Sequence, residues 1–210
     1  MKIAAVLINI GNKDFADLSI KANQKYYSHF GIELRQIKEL LDKAKNYKPK
    51  WMASLALDVF SDLDFVIVQD LDILPCNLKY NIMDFLMLRE LNFAKSYTRI
   101  GMKITTAPFP YFQYNAGLFA YSKYFKEIFS SIFEYGKEDP EKFGTCDQYY
   151  INKYIGENSL YVNEIPMIFN TFYHASINFE KISFCHYTNS LPNECKLDFI
   201  ERYHPKEMLC

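Results

Sequence analysis

Asp62-Leu63-Asp64-Phe65-Val66-Ile67-Val68-Gln69-Asp70-Leu71-Asp72-Ile73-Leu74-Pro75 decides how this chain is read. Its centre, Phe65 to Val68, is a short β-branched apolar run, the pattern of a buried strand in a parallel or mixed sheet. In open α/β sheets, ligands sit beyond the carboxyl ends of the strands. Asp70 and Asp72 stand at that end. Asp62 and Asp64 repeat the spacing but precede the strand, roughly 20 Å away at strand rise. They read as polar cover at a helix-to-strand turn.

Two carboxylates at i and i+2 of an extended chain point to the same side. Their like charges repel and raise one pKa unless a cation holds them. An oxygen-rich pair suits a hard divalent ion, Mg²⁺ or Mn²⁺, which shares its remaining positions with substrate phosphates. A solvated loop carrying two acids has the same letters, so the motif alone leaves both readings open.

The length of 210 residues predicts a single domain, 1–210, able to bury about 70% of its unfolded surface. With 24 basic against 25 acidic residues, there is neither a basic footprint for nucleic acid nor an acidic tail. No run approaches the ~20 apolar residues of a transmembrane span. The apolar start, Met1 to Ile10, stops at Gly11-Asn12-Lys13-Asp14 without a small-residue cleavage site, and reads as a first strand. Five cysteines without a Cys-x-x-Cys pair fit free thiols in a reducing, cytoplasmic setting.

In order, Lys2 to Ile10 predicts a strand, and Ala16, Ile20, Tyr27 and Phe30 a helix that stops at Gly31. Ile32 to Ile37 predicts a second strand. Asn9 and Asn12, at the end of strand one, are placed to bond a base or ribose, or are turn asparagines. Helices are expected over Lys38 to Asn46 and Lys50 to Phe60, broken at Tyr47-Lys48-Pro49. Lys50 either reaches a diphosphate or is a surface lysine.

Beyond Cys76 a helix is expected over Ile82 to Arg89, a strand over Leu91 to Tyr97 and a functional loop over Arg99 to Pro110. That loop and Phe109, Tyr111 and Phe112 are candidates for a substrate cover or acceptor wall. In Tyr114-Asn115-Ala116-Gly117-Leu118-Phe119-Ala120-Tyr121, Asn115 enters an apolar strand whose Ala-Gly pair lets something approach the backbone closely. A helix runs on from Ser122 to about Tyr135. Gly144 to Asn152 opens another, where Thr145 and Gln148 have capping-box spacing and Asp147 suits the helix dipole. Leu160 to Ile165 is a strand, Pro166 to Tyr173 an irregular aromatic stretch and Ile182 to Tyr187 a strand with His186 on an apolar face. That histidine is a hydrogen-bonded core residue or a metal ligand. Pro192 to Tyr203 is a last short helix.

Four motifs in this order resemble the glycosyltransferases of the GT-A fold, most closely family 8, the glycogenin and lipopolysaccharide-galactosyltransferase type. They are Phe65-Val-Ile-Val-Gln-Asp-Leu-Asp-Ile-Leu74, Tyr114-Asn-Ala-Gly-Leu-Phe-Ala-Tyr121, Asp147-Gln148 with Asn152, and Phe184-Cys-His186. The resemblance implies an α/β GT-A fold for nucleotide-diphospho-sugar transfer, a Rossmann-like mixed central sheet flanked by helices. It implies that Asp70, Asp72 and His186 hold Mn²⁺ or Mg²⁺ against the diphosphate of a nucleotide sugar, a UDP-sugar in the first instance. Asn115 and Asp147 would grip sugar hydroxyls and Gln148 would lie near the anomeric carbon, with transfer to a carbohydrate or glycoconjugate acceptor and retention of configuration. A mixed oxygen-nitrogen donor set favours Mn²⁺.

The chain departs from the family after His186. Neither the family's following glycine nor its tryptophan is present, and Lys196 is the candidate for the phosphate-gripping lysine. An inverting enzyme would instead want a carboxylate base, for which Asp147 is the first candidate. Two other readings compete. One is a phosphatase of the haloacid dehalogenase type, whose Asp-x-Asp strand lies near the amino terminus and whose first aspartate is the nucleophile. The other is a nucleotide-sugar-binding module without turnover.

Overall fold

A computed structural model describes residues 1–11, 13–100, 103–106, 113–137, 147–173, 177–187 and 193–210. The first half of the chain forms β1 (Ile3–Ile8), α1 (Ala16–His29), β2 (Glu33–Ile37), α2 (Ala56–Val59), β3 (Phe65–Asp70), β4 (Ile73–Pro75) and β5 (Leu91–Lys95). The second half forms β6 (Tyr97–Ile100), β7 (Lys103–Thr106), β8 (Tyr114–Ser122), α3 (Lys126–Lys137), α4 (Asp147–Glu157) and β9 (Val162–Ile165). It closes with β10 (Thr171–Phe172), β11 (Phe184–His186), α5 (Asn193–Tyr203) and α6 (Lys206–Leu209).

The central sheet has six strands in the order β2-β1-β3-β8-β5-β9. β1 runs parallel to β2 and β3, and β5 parallel to β9, while β8 is antiparallel to both β3 and β5. Alternate residues of the inner strands feed separate cores. Ala4, Val6, Val66 and Val68 pack on one face with Trp51 and Phe119, and Ala5, Phe65 and Ile67 on the other with Tyr26 and Phe184. A sheet covered on both faces explains why β1 and β3 are continuous apolar runs. Each of the Val, Ile and Phe side chains, fully buried, contributes about 1.5–3 kcal/mol. A smaller sheet, β10-β11-β4, packs beside the carboxyl end of β3.

Gly31 ends α1 with a φ of +69°, a left-handed conformation that a side chain would strain, and the chain turns there into β2. Several expected elements differ. The helices expected over Lys38 to Asn46 and Lys50 to Phe60 are instead 3-10 turns at Asp42–Ala44 and Pro49–Ala53 and the single turn α2. Trp51, Met52, Ala53, Leu55, Ala56 and Leu57 are all buried, so this segment follows the contour of the core on every side and has no solvent face for a regular helix. The helix expected over Ile82 to Arg89 is a 3-10 turn, Ile82–Phe85. The chain after it is tied by the Asn92 side chain, which bonds both the Met87 N–H and the Met87 carbonyl.

The loop expected over Arg99 to Pro110 contains a paired ribbon, β6 with β7, in the register Tyr97 to Thr106 and Ile100 to Lys103. Its β-branched residues, Thr98, Ile100, Ile104, Thr105 and Thr106, favour strand pairing over irregular chain. Phe109, Tyr111 and Phe112 lie outside the described residues, as does Thr145. The aromatic stretch after Pro166 contains the 3-10 turn Met167–Phe169 and β10.

Candidate metal and donor site

The site forms where β1 and β3 end side by side, Ile8 opposite Asp70. Asp70 closes β3, but the chain does not stay extended to Asp72 as the spacing predicted. Leu71 and Asp72 make a turn into β4, which joins the smaller sheet. A buried polar network fixes that turn. Gln69 faces α1, accepts from Tyr27 Oη at 2.6 Å and donates Nε2 to Asn23 Oδ1 and the Ile73 carbonyl, each at 2.6 Å. Ser19 donates its hydroxyl to the Leu71 carbonyl, and Tyr187 donates its N–H to the Asp72 carbonyl at 2.8 Å. A buried network with its members paired sets one geometry, because each group would be costly to leave alone.

β11 pairs antiparallel with β4, which sets His186 opposite Ile73 and brings its Nε2 to 3.4 Å from Asp72 Oδ1. The other ring nitrogen, Nδ1, donates to Asn170 Oδ1 at 2.9 Å. That bond fixes the ring so that Nε2 faces the acids, the arrangement a metal-ligating histidine needs. One donor atom from each of Asp70, Asp72 and His186 lies within 4.8 Å of the others. An ion with bonds of about 2.1 Å spaces its donors about 3–4 Å apart, so this oxygen, oxygen, nitrogen set fits a divalent cation.

Gly117 makes the close assembly possible. β8 pairs with β3 as far as Gln69 and Leu118, so Gly117 comes next against Asp70. A Cβ at 117 would lie 2.8 Å from Asn115 Oδ1, 3.0 Å from His186 Cε1 and 3.1 Å from Asp70 Oδ2. On its other side β8 breaks register with β5, whose partners jump from Phe119 to Asn115 between Phe93 and Ala94. Asn115 Oδ1 accepts the Gly117 N–H at 3.0 Å across that irregularity.

Asn115 Nδ2 donates to Gln148 Oε1 at 3.2 Å, and the Ala116 N–H donates to the same oxygen at 3.3 Å. Gln148 Nε2 in turn donates to Ser96 Oγ at 3.3 Å. One turn later on α4, Asn152 brackets Tyr114, accepting its N–H at 2.7 Å and donating to its carbonyl at 2.8 Å. This clamp presents the first residues of α4 to the bulged part of β8. Asp147, the first residue of α4, is buried and pairs with Lys50 at 3.5 Å.

The electrostatics follow from this crowding. Burial and the neighbouring charge of Asp72 push Asp70 up to about 7, partly offset by His186. Burial also acts upward on Asp72, but its contact with His186 and the Lys196 ammonium outweigh it, and hold that carboxyl well below the usual carboxylate range. Asp147 is raised by burial, with Lys50 and the backbone N–H groups at the helix start opposing.

The structure therefore brings together Asp70, Asp72 and His186, joins Asn115 to Gln148, and pairs Lys50 with Asp147. Lys196 meets Asp72, its Nζ 2.6 Å from Oδ2. Asn9 bonds Gln36 on β2 at 3.0 Å, and Asn12 lies outside the described residues. Asp62 and Asp64 serve the opposite end of β3. Asp62 pairs with Lys2 and with Arg35 at 2.7 Å, and Asp64 with Lys123 at 2.6 Å. Sequence reasoning missed Asn170, Ser96 and the Gln69 network. Gln69 and Asn170 each directly follow an apolar run, which was the signal available, whereas Ser96, beside Lys95, carried none.

Comparison with solved structures gives the fold a name. A glycosyltransferase involved in the glycosylation of the major capsid of PBCV-1 superposes with a TM-score of 0.71 at 14% identity, over 96% of this chain and 100% of that one. This fold is GT-A-like. The glycosyltransferase GlyE of Streptococcus pneumoniae TIGR4 superposes with a TM-score of 0.59 at 13% identity, over 100% of this chain and 62% of its own. The chain thus spans less than two thirds of GlyE. No protein-family model and no curated protein matches the sequence. The GT-A-like likeness does not single out family 8. No helix among the described residues is long and apolar enough to cross a membrane.

Proposed function

We propose that this chain is a metal-dependent glycosyltransferase, a single catalytic unit that takes a sugar from a nucleotide-diphosphate donor, a UDP-sugar, to a carbohydrate or glycoconjugate acceptor with retention of configuration. The observation that carries the reading is the Asp70, Asp72 and His186 cluster at the carboxyl end of the central strand of a GT-A-like fold. Asp70, Asp72 and His186 would hold Mn²⁺, or Mg²⁺ in its place. A bound divalent cation supplies Lewis-acid stabilisation of the charge that develops on the leaving diphosphate.

The chain's own residues position the donor. Gln148, held by Asn115, Ala116 and Ser96, would stand by the anomeric carbon, and its three partners fix the carboxamide plane before substrate arrives. Asn115 and Asp147 would take sugar hydroxyls. Lys50, already balancing Asp147, would bring positive charge toward the diphosphate. Asn9, with Asn12, would meet the base or ribose at the end of β1. Free thiols at Cys76, Cys185, Cys195 and Cys210 suit a cytoplasmic setting. The phosphatase alternative loses support from the topology, because β1 and β2 precede β3 and β8 pairs antiparallel to it.

The test is cleavage of a panel of nucleotide sugars followed by chromatography, with Mn²⁺ present or chelated, for wild type and Asp72→Asn. The reading expects one donor to be hydrolysed or transferred only with metal, and the variant to lose at least about a hundredfold in rate. Metal-independent cleavage retained by Asp72→Asn would remove it.

A further inference from the structure

Lys196 is a lysine with 2% of its surface exposed, carried inward on α5. Its ammonium is 2.6 Å from Asp72 Oδ2 and 5.6 Å from the centre of the Phe15 ring. The other oxygen of the same carboxylate, Oδ1, faces His186 at 3.4 Å. The two oxygens of Asp72 are thus divided, one toward the proposed metal position and one toward a fixed cation. Buried lysines persist only when paired. The Asp70 and Asp72 pair is therefore partly neutralised by a charge that belongs to the chain.

A divalent ion seated between Asp70, Asp72 and His186 would have that ammonium across a single carboxylate. Like charges at such separation repel strongly where water is excluded. A diphosphate adds negative charge on the open side and removes the conflict. We propose that Lys196 makes the metal site conditional: it satisfies Asp72 when no cation is bound, weakens binding of a bare divalent ion, and so couples metal entry to the nucleotide diphosphate. This inference rests on the transferase reading of the site. It assigns Lys196 a role in metal affinity and order of binding, separate from direct contact with phosphate. Reciprocity follows, because whatever the diphosphate does for metal affinity the metal does for the diphosphate.

The test is Mn²⁺ binding followed by the electron paramagnetic resonance signal of the free ion, with and without saturating UDP. Wild type is expected to bind Mn²⁺ at least tenfold more tightly with UDP than without. Lys196→Met and Lys196→Gln are expected to bind bare Mn²⁺ at least tenfold more tightly than wild type and to gain less from UDP. Lys196→Arg, which keeps the charge, is expected to behave as wild type. The neutral variants are also expected to melt lower without metal and to gain more from Mn²⁺ than wild type does, a readout that needs only marginal folding. Wild-type Mn²⁺ binding with no tightening in either neutral variant would overturn the coupling and leave the metal site standing. Absence of Mn²⁺ binding in every protein, with and without UDP, would overturn the site and the transferase reading together.

Discussion

Gly117 and His186 approach so closely that a Cβ on residue 117 would lie 3.0 Å from the imidazole Cε1. The same atom would press on Asn115 Oδ1 at 2.8 Å and Asp70 Oδ2 at 3.1 Å. The smallest residue in the Asn-Ala-Gly strand is therefore what allows three polar side chains to meet at one point. Gly117→Ala is expected to cost about 1–3 kcal/mol of stability through overpacking, and to abolish stabilisation by Mn²⁺. Calorimetric unfolding with and without Mn²⁺ checks both. Full Mn²⁺ stabilisation in the variant would show that the cluster is not built around this gap.

Asn170 orients His186 by accepting its Nδ1–H at 2.9 Å. Asn170→Leu removes the acceptor and is expected to weaken Mn²⁺ binding about 10–100-fold, the usual effect of losing a partner behind a ligating histidine. Asn170→Asp keeps an acceptor and is expected to retain binding. Isothermal titration in the presence of UDP measures both. Equal losses in the two variants would mean that Asn170 acts through packing and not through the ring.

Asp70 is pushed up to about 7 by burial and by Asp72, so below that pH the acid pair carries a proton that a metal must displace. The apparent dissociation constant for Mn²⁺ is expected to rise about tenfold per pH unit below 7 and to level off above it. A titration series from pH 5.5 to 8.5 reads the slope. A flat profile would place the titrating proton elsewhere.

His204 gives a separate pH effect, on stability. Burial pushes its imidazole down to about 4, although its Nε2–H donates to the Pro75 carbonyl at 2.9 Å, while Nδ1 accepts from Tyr187 Oη at 3.0 Å. The unfolded chain takes up a proton near pH 6.5 that the folded protein refuses until about pH 4. Stability is therefore complete above 6.5 and falls by about 3 kcal/mol as pH drops to 4. His204→Gln, which can still bridge Tyr187 and Pro75, is expected to flatten the urea-unfolding profile by that amount across the window. An unchanged slope would exclude His204 as its source.

Residues whose neighbours are local or strongly periodic were legible in the sequence. β3 is a continuous apolar run because both its faces are covered, and Asp70 ends it because the sheet ends there. Gln148 and Asn152 were readable as successive turns of one helix. The clamp of Asn152 on Tyr114 was not, since it depends on how α4 meets β8. Asn170 and His186 are 16 residues apart and meet only through the parallel pairing of β10 with β11. Gln69 looks like the polar end of a strand, yet it is fully buried because α1 supplies Asn23 and Tyr27 as partners. Lys196 read as a phosphate candidate from its distance after His186, and nothing in that distance says that Asp72 already holds it. The helix expected over Lys50 to Phe60 failed for the opposite reason, an apolar pattern from Trp51 to Leu57 with no polar face to orient it.

The most direct measurement is a thermal-shift screen of nucleotides and nucleotide sugars with and without Mn²⁺, on wild type and on Asp72→Asn. A ligand at a hundred times its dissociation constant adds about 2.7 kcal/mol, roughly 5–10 °C for a chain of this size. A Mn²⁺-dependent shift with one nucleotide is expected, lost in Asp72→Asn while the variant keeps its fold. No shift with any nucleotide, or an equal shift in the variant, would contradict the metal-dependent transferase reading.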